Sequence, residues 1–284
     1  MKTKELFKKM FVCGYWDIVM CNSITDLSRC AVTIIHSSLN EWHADPFVLT
    51  INDNAYIFCE RKKISKKNGD ICLYKVAKKI TKKLLIKEPF HLSFPNIFQF
   101  NNSYYIMPES SRGRSLRLYS FDSKSETAKL QRVLLTNCSY VDSVIKTEGN
   151  QTYVFSYDSC SNELVISTLK ESFSLVKEKS VKDLNKTLRP AGNPIGNTFF
   201  FQDCSSVYGE AIKTMSCGEE FVFSESQNEL IEQIKKYCLE NNYSRYHTIN
   251  FDMNSNKFVF DAYKEKINIF KPFLLLWRVI CGNR

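Results

Sequence analysis

The stretch Pro46-Phe47-Val48-Leu49-Thr50-Ile51-Asn52-Asp53-Asn54-Ala55-Tyr56-Ile57-Phe58-Cys59-Glu60 decides the fold. Two runs rich in branched and aromatic residues flank Asn52-Asp53-Asn54, whose short polar side chains tolerate left-handed backbone, so the segment predicts a tight antiparallel hairpin. The device recurs along the chain. The aromatic that opens each second strand is Tyr56, Tyr105, Tyr153, Phe199 or Phe258, at spacings of 49, 48, 46 and 59 residues. The turn before each later one is Asn101-Asn102-Ser103, Glu148-Gly149-Asn150, Gly196-Asn197 or Asn254-Ser255-Asn256. Third β-prone runs follow at 71–76, 116–120 and 164–169.

Units of about 47 residues holding three or four antiparallel strands have the size of propeller blades. The sequence therefore predicts an all-β, five-bladed β-propeller in a single domain over 1–284, with blades at about 42–76, 91–122, 140–169, 188–217 and 245–265. An irregular β-sandwich with look-alike hairpins is the competing architecture, and five coincident turn-plus-aromatic patterns count against it. The longer last interval contains Leu230, Ile231, Ile234 and Cys238 at helical spacing, which places one inserted helix between blades four and five. Trp16-Asp17-Ile18-Val19-Met20 is available to complete the last blade and close the ring.

Composition agrees with a globular chain. With 284 residues, 44% hydrophobic and 13% aromatic, and only 9 Gly and 7 Pro, disordered, collagen-like and low-complexity classes are excluded. A mean hydropathy of −0.27 and the absence of a long apolar run exclude an ordinary membrane-spanning helix. The net charge of +9 comes from scattered lysines or turn-like segments such as Arg61-Lys62-Lys63 and Ser65-Lys66-Lys67, so no nucleic-acid partner is expected. A weak attraction to anionic membranes or phosphorylated substrates remains compatible with it. Eleven cysteines without a C-x-x-C pair indicate reduced core thiols, not zinc ligands or a disulfide framework. The basic start lacks a small-residue cleavage site, and a cytoplasmic location is expected.

Counting back eleven residues from each aromatic reaches Asp45, Phe94, Asp142, Leu188 and His247, with Arg189 one step later in the fourth unit. First strands of blades line the central channel, so these positions converge at one mouth. Counting forward four residues gives Glu60, Glu109, Tyr157, Asp203 and Ala262 as a second ring. Buried charges need partners, and a cluster of Asp45, Glu60, Glu109, Asp142 and Asp203 with Arg189 points to a site. One carboxyl can protonate a leaving oxygen while another activates water or attacks a sugar, and Arg189 can neutralise a carboxylate or fork onto a phosphate. Each also has a plain structural reading: Asp45 and Asp142 as strand-end caps, Glu60 and Glu109 as edge residues, Asp203 and Arg189 in turns, His247 as a satisfied core histidine. Phosphate-loop, dinucleotide, zinc-protease and nucleophile-elbow motifs do not occur, and the four histidines are dispersed in sequence. No cofactor and no metal are expected.

The ordered string Trp42-His43-Ala44-Asp45-Pro46-Phe47, Glu60, His91-Leu92-Ser93-Phe94-Pro95, Pro108-Glu109-Ser110, Val141-Asp142-Ser143, Arg189-Pro190-Ala191-Gly192, Gln202-Asp203-Cys204-Ser205, Tyr208-Gly209 and His247-Thr248 resembles the N-terminal domain of glucosamine inositolphosphorylceramide transferases, from about Trp16 to about Ala262. That domain is similar to the five-bladed propellers of arabinanases, invertases and levansucrases, which implies carbohydrate chemistry in the channel. By position Asp45 matches the base or nucleophile of those enzymes. Their second blade supplies Asp and their third Glu, whereas here Glu109 precedes Asp142. The plant transferases also carry a separate C-terminal glycosyltransferase domain, for which 284 residues leave no room.

These readings make Asp45, Glu109 and Asp142 the candidate catalytic residues, and Glu60, His91, Arg189, Gln202, Asp203, Tyr208 and His247 the candidate substrate-binding ones. The expected substrate is a glycan or sugar donor. Glycosyl transfer in cell-surface polysaccharide or glycolipid assembly stands first, with a glycoside hydrolase and a non-catalytic glycan-binding propeller as alternatives. The apolar tail 267–284 is too short to span a bilayer, but Phe270, Phe273, Leu276 and Trp277 beside Lys264, Lys266 and Arg284 suit an interfacial segment near a lipid-linked acceptor at the inner membrane face. A last strand or helix packed on the propeller is the other reading of that tail.

Overall fold

Asn52 and Asp53 both adopt left-handed backbone, with φ 48° and 62°, and Asn101 and Asn102 do the same at 48° and 59°. Two such residues in succession give a turn whose twist matches that of the flanking strands, which is why these hairpins stay tight. The computed structural model describes residues 2–24, 26–27, 29–182, 184 and 188–281. Met1 and residues 282–284, which belong to the expected domain and tail, lie outside them.

The hairpins grow into five four-stranded antiparallel sheets, the blades of a propeller. Blade one is Glu41–Ile51, Asn54–Lys63, Gly69–Val76 and Ile80–Ile86, and blade two is Ser93–Phe100, Ser103–Glu109, Ser115–Asp122 and Thr127–Thr136. Blade three runs through Tyr140–Glu148, Gln151–Asp158, Glu163–Leu169 and Leu175–Val181, and blade four through Leu188–Ile195, Thr198–Asp203, Ala211–Cys217 and Phe223–Ser226. The fifth sheet is composite. Ile249–Asp252 and Lys257–Ile267 supply its inner pair, and Val12–Cys21 and Val32–Ile35 add the outer two strands. Val12 faces Ile267 and Cys21 faces Phe258 in a continuous antiparallel register, so the segment 16–20 closes the ring as its sequence suggested.

Blades pack through aromatic edges. Phe47 meets Phe94 at 5.0 Å, Phe58 meets Phe121 at 5.0 Å, and Phe155 meets Phe199 at 4.8 Å, all edge to face and all buried. Removing each such ring from water contributes about 1.5–3 kcal/mol. Helix α2 (Glu229–Glu240) lies between blades four and five, capped by the Asn228 side chain, which accepts from Leu230 N at 3.0 Å. It buries Leu230, Ile231, Ile234 and Cys238, the residues whose spacing marked it. Helix α1 (Lys2–Phe11) precedes the closing strand, and helix α3 (Lys271–Cys281) follows the last one. No described helix is long and apolar enough to cross a membrane.

Inner strands of the first three blades share one irregularity. Two residues, Asp45-Pro46, Phe94-Pro95 or Asp142-Ser143, sit opposite a single residue of the neighbouring strand. The first of each pair is left-handed, with φ 52°, 44° and 49°. This bulge breaks the alternation and re-aims one side chain per blade. Beneath it, side-chain amides cross the axis. Asn96 and Asn193 bond reciprocally at 2.7 and 3.1 Å, Asn193 N donates to Asn250 Oδ1 at 3.0 Å, and Asn250 donates to Pro46 O at 2.8 Å. Asn96 also donates to Ser143 O at 3.0 Å, so all five inner strands are tied together. Gly192, in the inner strand of blade four, has φ +157° and lies so close to blade five that a Cβ would fall 1.8 Å from Ile249 O. Gly192→Ala is therefore expected to lower stability by about 1–3 kcal/mol or more, read as a reduced midpoint in thermal unfolding.

Candidate active site

The bulges deliver Asp45 and Asp142 to one mouth of the channel, where both are buried. Asp45 Oδ2 accepts from Phe94 N at 3.2 Å, and Asp45 Oδ1 lies 3.1 Å from His247 Nε2. The other imidazole nitrogen, Nδ1, is 3.0 Å from Asp261 Oδ1. Asp261 is wholly buried and accepts further bonds from the backbone amides of Asp45, His247 and Thr248 and from Thr248 Oγ1. His247 is thus clamped between two carboxylates from different blades. Burial alone would lower its pKa, but Asp261 and then Asp45 outweigh it and raise the value to about 10. Asp261 moves the other way, held low by the imidazolium against the cost of burial.

A second charged group lies across the mouth. Arg189 Nε donates to Asp142 Oδ2 at 2.7 Å, and Gln202 Nε2 donates to the same oxygen at 2.8 Å. The Arg189 guanidinium also reaches to 4.0 Å from Glu109 Oε2, while Ser111 Oγ donates to Glu109 Oε1 at 2.8 Å. Burial, with Asp142 as the next cause, pushes Glu109 up to about 8. Glu60 is likewise held well above the usual range by burial and by the Asp45 charge, and its Oε1 has no hydrogen-bond partner. His91 Nε2 is 3.5 Å from that oxygen, and its Nδ1 accepts from Gly69 N at 2.8 Å. Burial and the nearby Lys62 charge lower His91 to about 4, so it faces Glu60 as a neutral ring.

The rim is aromatic. Trp16, on the closing strand, places its ring 4.2 Å from His247, and Tyr208 places its ring 5.2 Å away on another side. The Arg189 guanidinium stands 5.8 Å from the Tyr208 ring centre. Trp16 is buried and backs the imidazole, whereas the exposed phenol face of Tyr208 suits the apolar face of a sugar ring, and the charged groups within suit its hydroxyls.

Asp45, Glu60, His91, Glu109, Asp142, Arg189, Gln202, Tyr208 and His247 are therefore brought together. Asp203 is not. It binds Lys213 Nζ at 2.9 Å and Ser205 N at 2.9 Å, and Lys213 keeps it ionised against partial burial. Its neighbour Gln202 takes the inward place. In the fourth blade Arg189, and not Leu188, stands where Asp45 stands in the first, because Leu188 pairs with Asp203 as Ala44 pairs with Glu60. Leu188 fills the core.

Asp261 and Trp16 were missed by counting along the chain. Asp261 lies three residues after Phe258, in the same row as Gln202, whereas the count stopped at the fourth position, Ala262. Asp45, His247 and Asp261 bring ligand atoms within 4.8 Å of one another, a spacing a cation could use. Both ring nitrogens already face carboxylate oxygens, so a metal would compete with the imidazolium protons.

A family model described as glucosamine inositolphosphorylceramide transferase 1, N-terminal, matches residues 18–260. The protein of that name from Oryza sativa subsp. indica is 27% identical over 233 residues, which cover 72% of this chain and 30% of the relative. The Arabidopsis thaliana protein is 34% identical over 113 residues, covering 37% and 14%. Among solved structures, exo-beta-1,3-galactanase from Phanerochaete chrysosporium with galactose superposes with a TM-score of 0.56 at 12% identity, covering 80% of this chain and 60% of that one. A thermostable family-43 glycoside hydrolase gives 0.55 at 11% identity, covering 80% and 89%. These structural likenesses establish a shared propeller fold.

Replacing His247 by Gln removes the cation between two buried carboxylates and is expected to cost about 3–5 kcal/mol of stability. Protonation of His247 stabilises the fold fully below the ordinary histidine value of 6.5, and this contribution is lost as pH rises to about 10. Thermal unfolding of both proteins across that window should show the gap between them narrowing with pH; a constant gap would contradict the imidazolium.

Proposed function

The chain belongs to the family of the N-terminal domain of glucosamine inositolphosphorylceramide transferase 1, and on that premise we propose that it transfers a glycosyl unit during assembly of a glycolipid or cell-surface glycan. The curated relatives are named as transferases, and the chain spans about a third of their length, so the reaction is argued from this site. One observation carries it: a largely enclosed carboxyl raised to about 8, Glu109, its side chain 12% exposed, shares one mouth with a second carboxyl group, Asp45, held against an imidazolium.

In this reading Asp45 is the base or nucleophile. His247 orients it, with Nε2 3.1 Å from Oδ1, and the Phe94 amide fixes its second oxygen. Glu109, neutral below about 8, gives its proton to the leaving oxygen of the donor. Asp142 anchors Arg189, whose guanidinium remains charged and can hold either the departing phosphate of an activated donor or a substrate hydroxyl. Glu60 and His91, both neutral, bond sugar hydroxyls, and the exposed Tyr208 flanks the ring. Substrate entry displaces water from groups whose charges are strengthened by a low-dielectric wall.

The test is an incubation of the chain with glycosyl donors and an inositolphosphorylceramide acceptor, following sugar into the lipid fraction and free sugar in solution. Asp45→Asn and Glu109→Gln are each expected to lower kcat/KM by about a hundredfold or more. The wild-type rate should fall as pH rises through about 8, where Glu109 loses its proton. Free sugar with none in lipid would favour the hydrolase reading. Full activity in both variants would leave a binding propeller.

A further inference from the structure

Both terminal helices leave the propeller at the site's mouth. Trp16 touches His247 from the closing strand, and four residues further along that strand, about 13 Å at the usual rise, Val12 pairs with Ile267. There α1 and the segment leading to α3 depart together. They are fixed at the base: Lys271 Nζ donates to Lys9 O and Val12 O at 2.7 Å each, and Asn268 N donates to Phe11 O at 2.6 Å. Asn268 is buried, and its side chain donates to Tyr15 Oη at 2.7 Å.

Away from this base the helices show apolar side chains to solvent. Phe273 is 71% exposed and Trp277 61%, with Leu276, Val279 and Ile280 beside them on α3 and Leu6, Phe7 and Met10 on α1 also exposed. Scattered apolar residues are ordinary on a surface, but this many on two adjoining helices form a patch that needs a partner.

Cations border the patch. A cavity of about 250 Å³ between α3 and the outer end of blade one is lined by Lys62, Lys63, Lys66, Lys271 and Arg278, with Leu275 at its side. Among the described residues none of these five cations meets a carboxylate at ion-pair distance. Lys62 lies two residues beyond Glu60 on the strand Asn54–Lys63, so the cavity adjoins a strand that carries a site residue; burial depresses Lys62, with Glu60 opposing it and Arg278 adding to it. Like charges held together beside exposed Trp, Phe and Leu are complementary to one environment, in which phosphates lie in a plane above hydrocarbon.

We propose that α1, α3 and the cavity they form with blade one are a docking surface for an anionic phospholipid membrane, with Phe273, Leu276 and Trp277 inserted at headgroup depth and Lys62, Lys66 and Arg278 on the lipid phosphates. Both helices depart from the end of the closing strand nearer Trp16 and His247, so a lipid-borne acceptor would be presented on that side of the propeller. Docking does not depend on the glycosyl-transfer reading and is tested without it.

The measurement is flotation of the full chain with phosphatidylcholine vesicles and with vesicles containing about 30 mol% phosphatidylserine, at low and high salt. Binding is expected to the anionic vesicles alone and to weaken with salt. Lys62→Glu with Arg278→Glu should reduce it about tenfold or more, and Phe273→Ser with Trp277→Ser should abolish it, with circular dichroism checking the fold. As a readout in unaltered protein, brominated lipid should quench part of the tryptophan emission. Equal binding to both vesicle types, no binding to either, or no quenching would overturn the proposal. So would association of the chain with itself through this face in place of vesicle binding.

Discussion

A left-handed residue at the inner-strand bulge is the constraint on which the site depends. Regular alternation would send successive side chains of Ala44-Asp45-Pro46 to opposite faces of the blade. At φ 52° Asp45 instead turns its carboxylate to the mouth, and Asp142 does so at 49° two blades away. Non-glycine residues in that region cost about 1–3 kcal/mol each, so something must hold them there. The asparagine belt does so from below. Pro46 O and Ser143 O, each from the second residue of a bulge, are the acceptors for Asn250 and Asn96. Phe94 shows that the geometry is not reserved for acids: it has the same backbone, yet its ring packs on Phe47 and its amide serves Asp45.

Charge at the mouth is organised by pairing, not by solvent. Five acidic side chains gathered in low dielectric would repel one another by several kcal/mol if all were ionised and unpaired. The structure divides them. Asp45 and Asp261 share His247, Asp142 takes Arg189 and Gln202, and Glu60 and Glu109 are left with protons because burial and the neighbouring carboxylates disfavour their charged forms. Carboxyls paired with a cation and carboxyls raised by burial therefore share a single pocket. The division follows which carboxyls are bonded directly to a cation, Asp45 and Asp261 to His247 and Asp142 to Arg189.

Much of this was legible in the chain, and the failures have a common cause. Hairpin turns, opening aromatics and the α2 stripe are local features repeated at a fixed period, so counting residues found the five blades and the helix. Counting back eleven reached Asp45 and Asp142 because blades one and three share a two-residue turn and the same bulge position, and it reached His247 although the blade-five turn is two residues longer. It slipped to Leu188 in the fourth blade, where the bulge falls later, at Ala191, and the hairpin is shorter. Counting forward four found Glu60 inside its strand and Glu109 at the end of its own, but passed over Gln202 and Asp261 at the third position. Which of two adjacent polar residues turns inward depends on the register of the bulge opposite, and no single blade's sequence records that. Trp16 was invisible for a different reason: its partner His247 is 231 positions away, joined only when the ring closes.

Ring closure links these features into one mechanical unit. The strand Val12–Cys21 is bonded along its whole length to Lys257–Ile267, and Asp261, which holds His247, is in that partner strand opposite Ile18. Trp16 presses on His247 from the closing strand itself. A single antiparallel pair therefore carries the imidazolium's carboxylate, the aromatic against its ring and, at its far end, the base of both terminal helices. Loosening that pair would open the propeller, unseat His247 from Asp45 and separate α1 from α3 together, because backbone hydrogen bonds in one ladder are lost cooperatively. The precision of the site and the placement of the helices thus rest on the same hydrogen bonds.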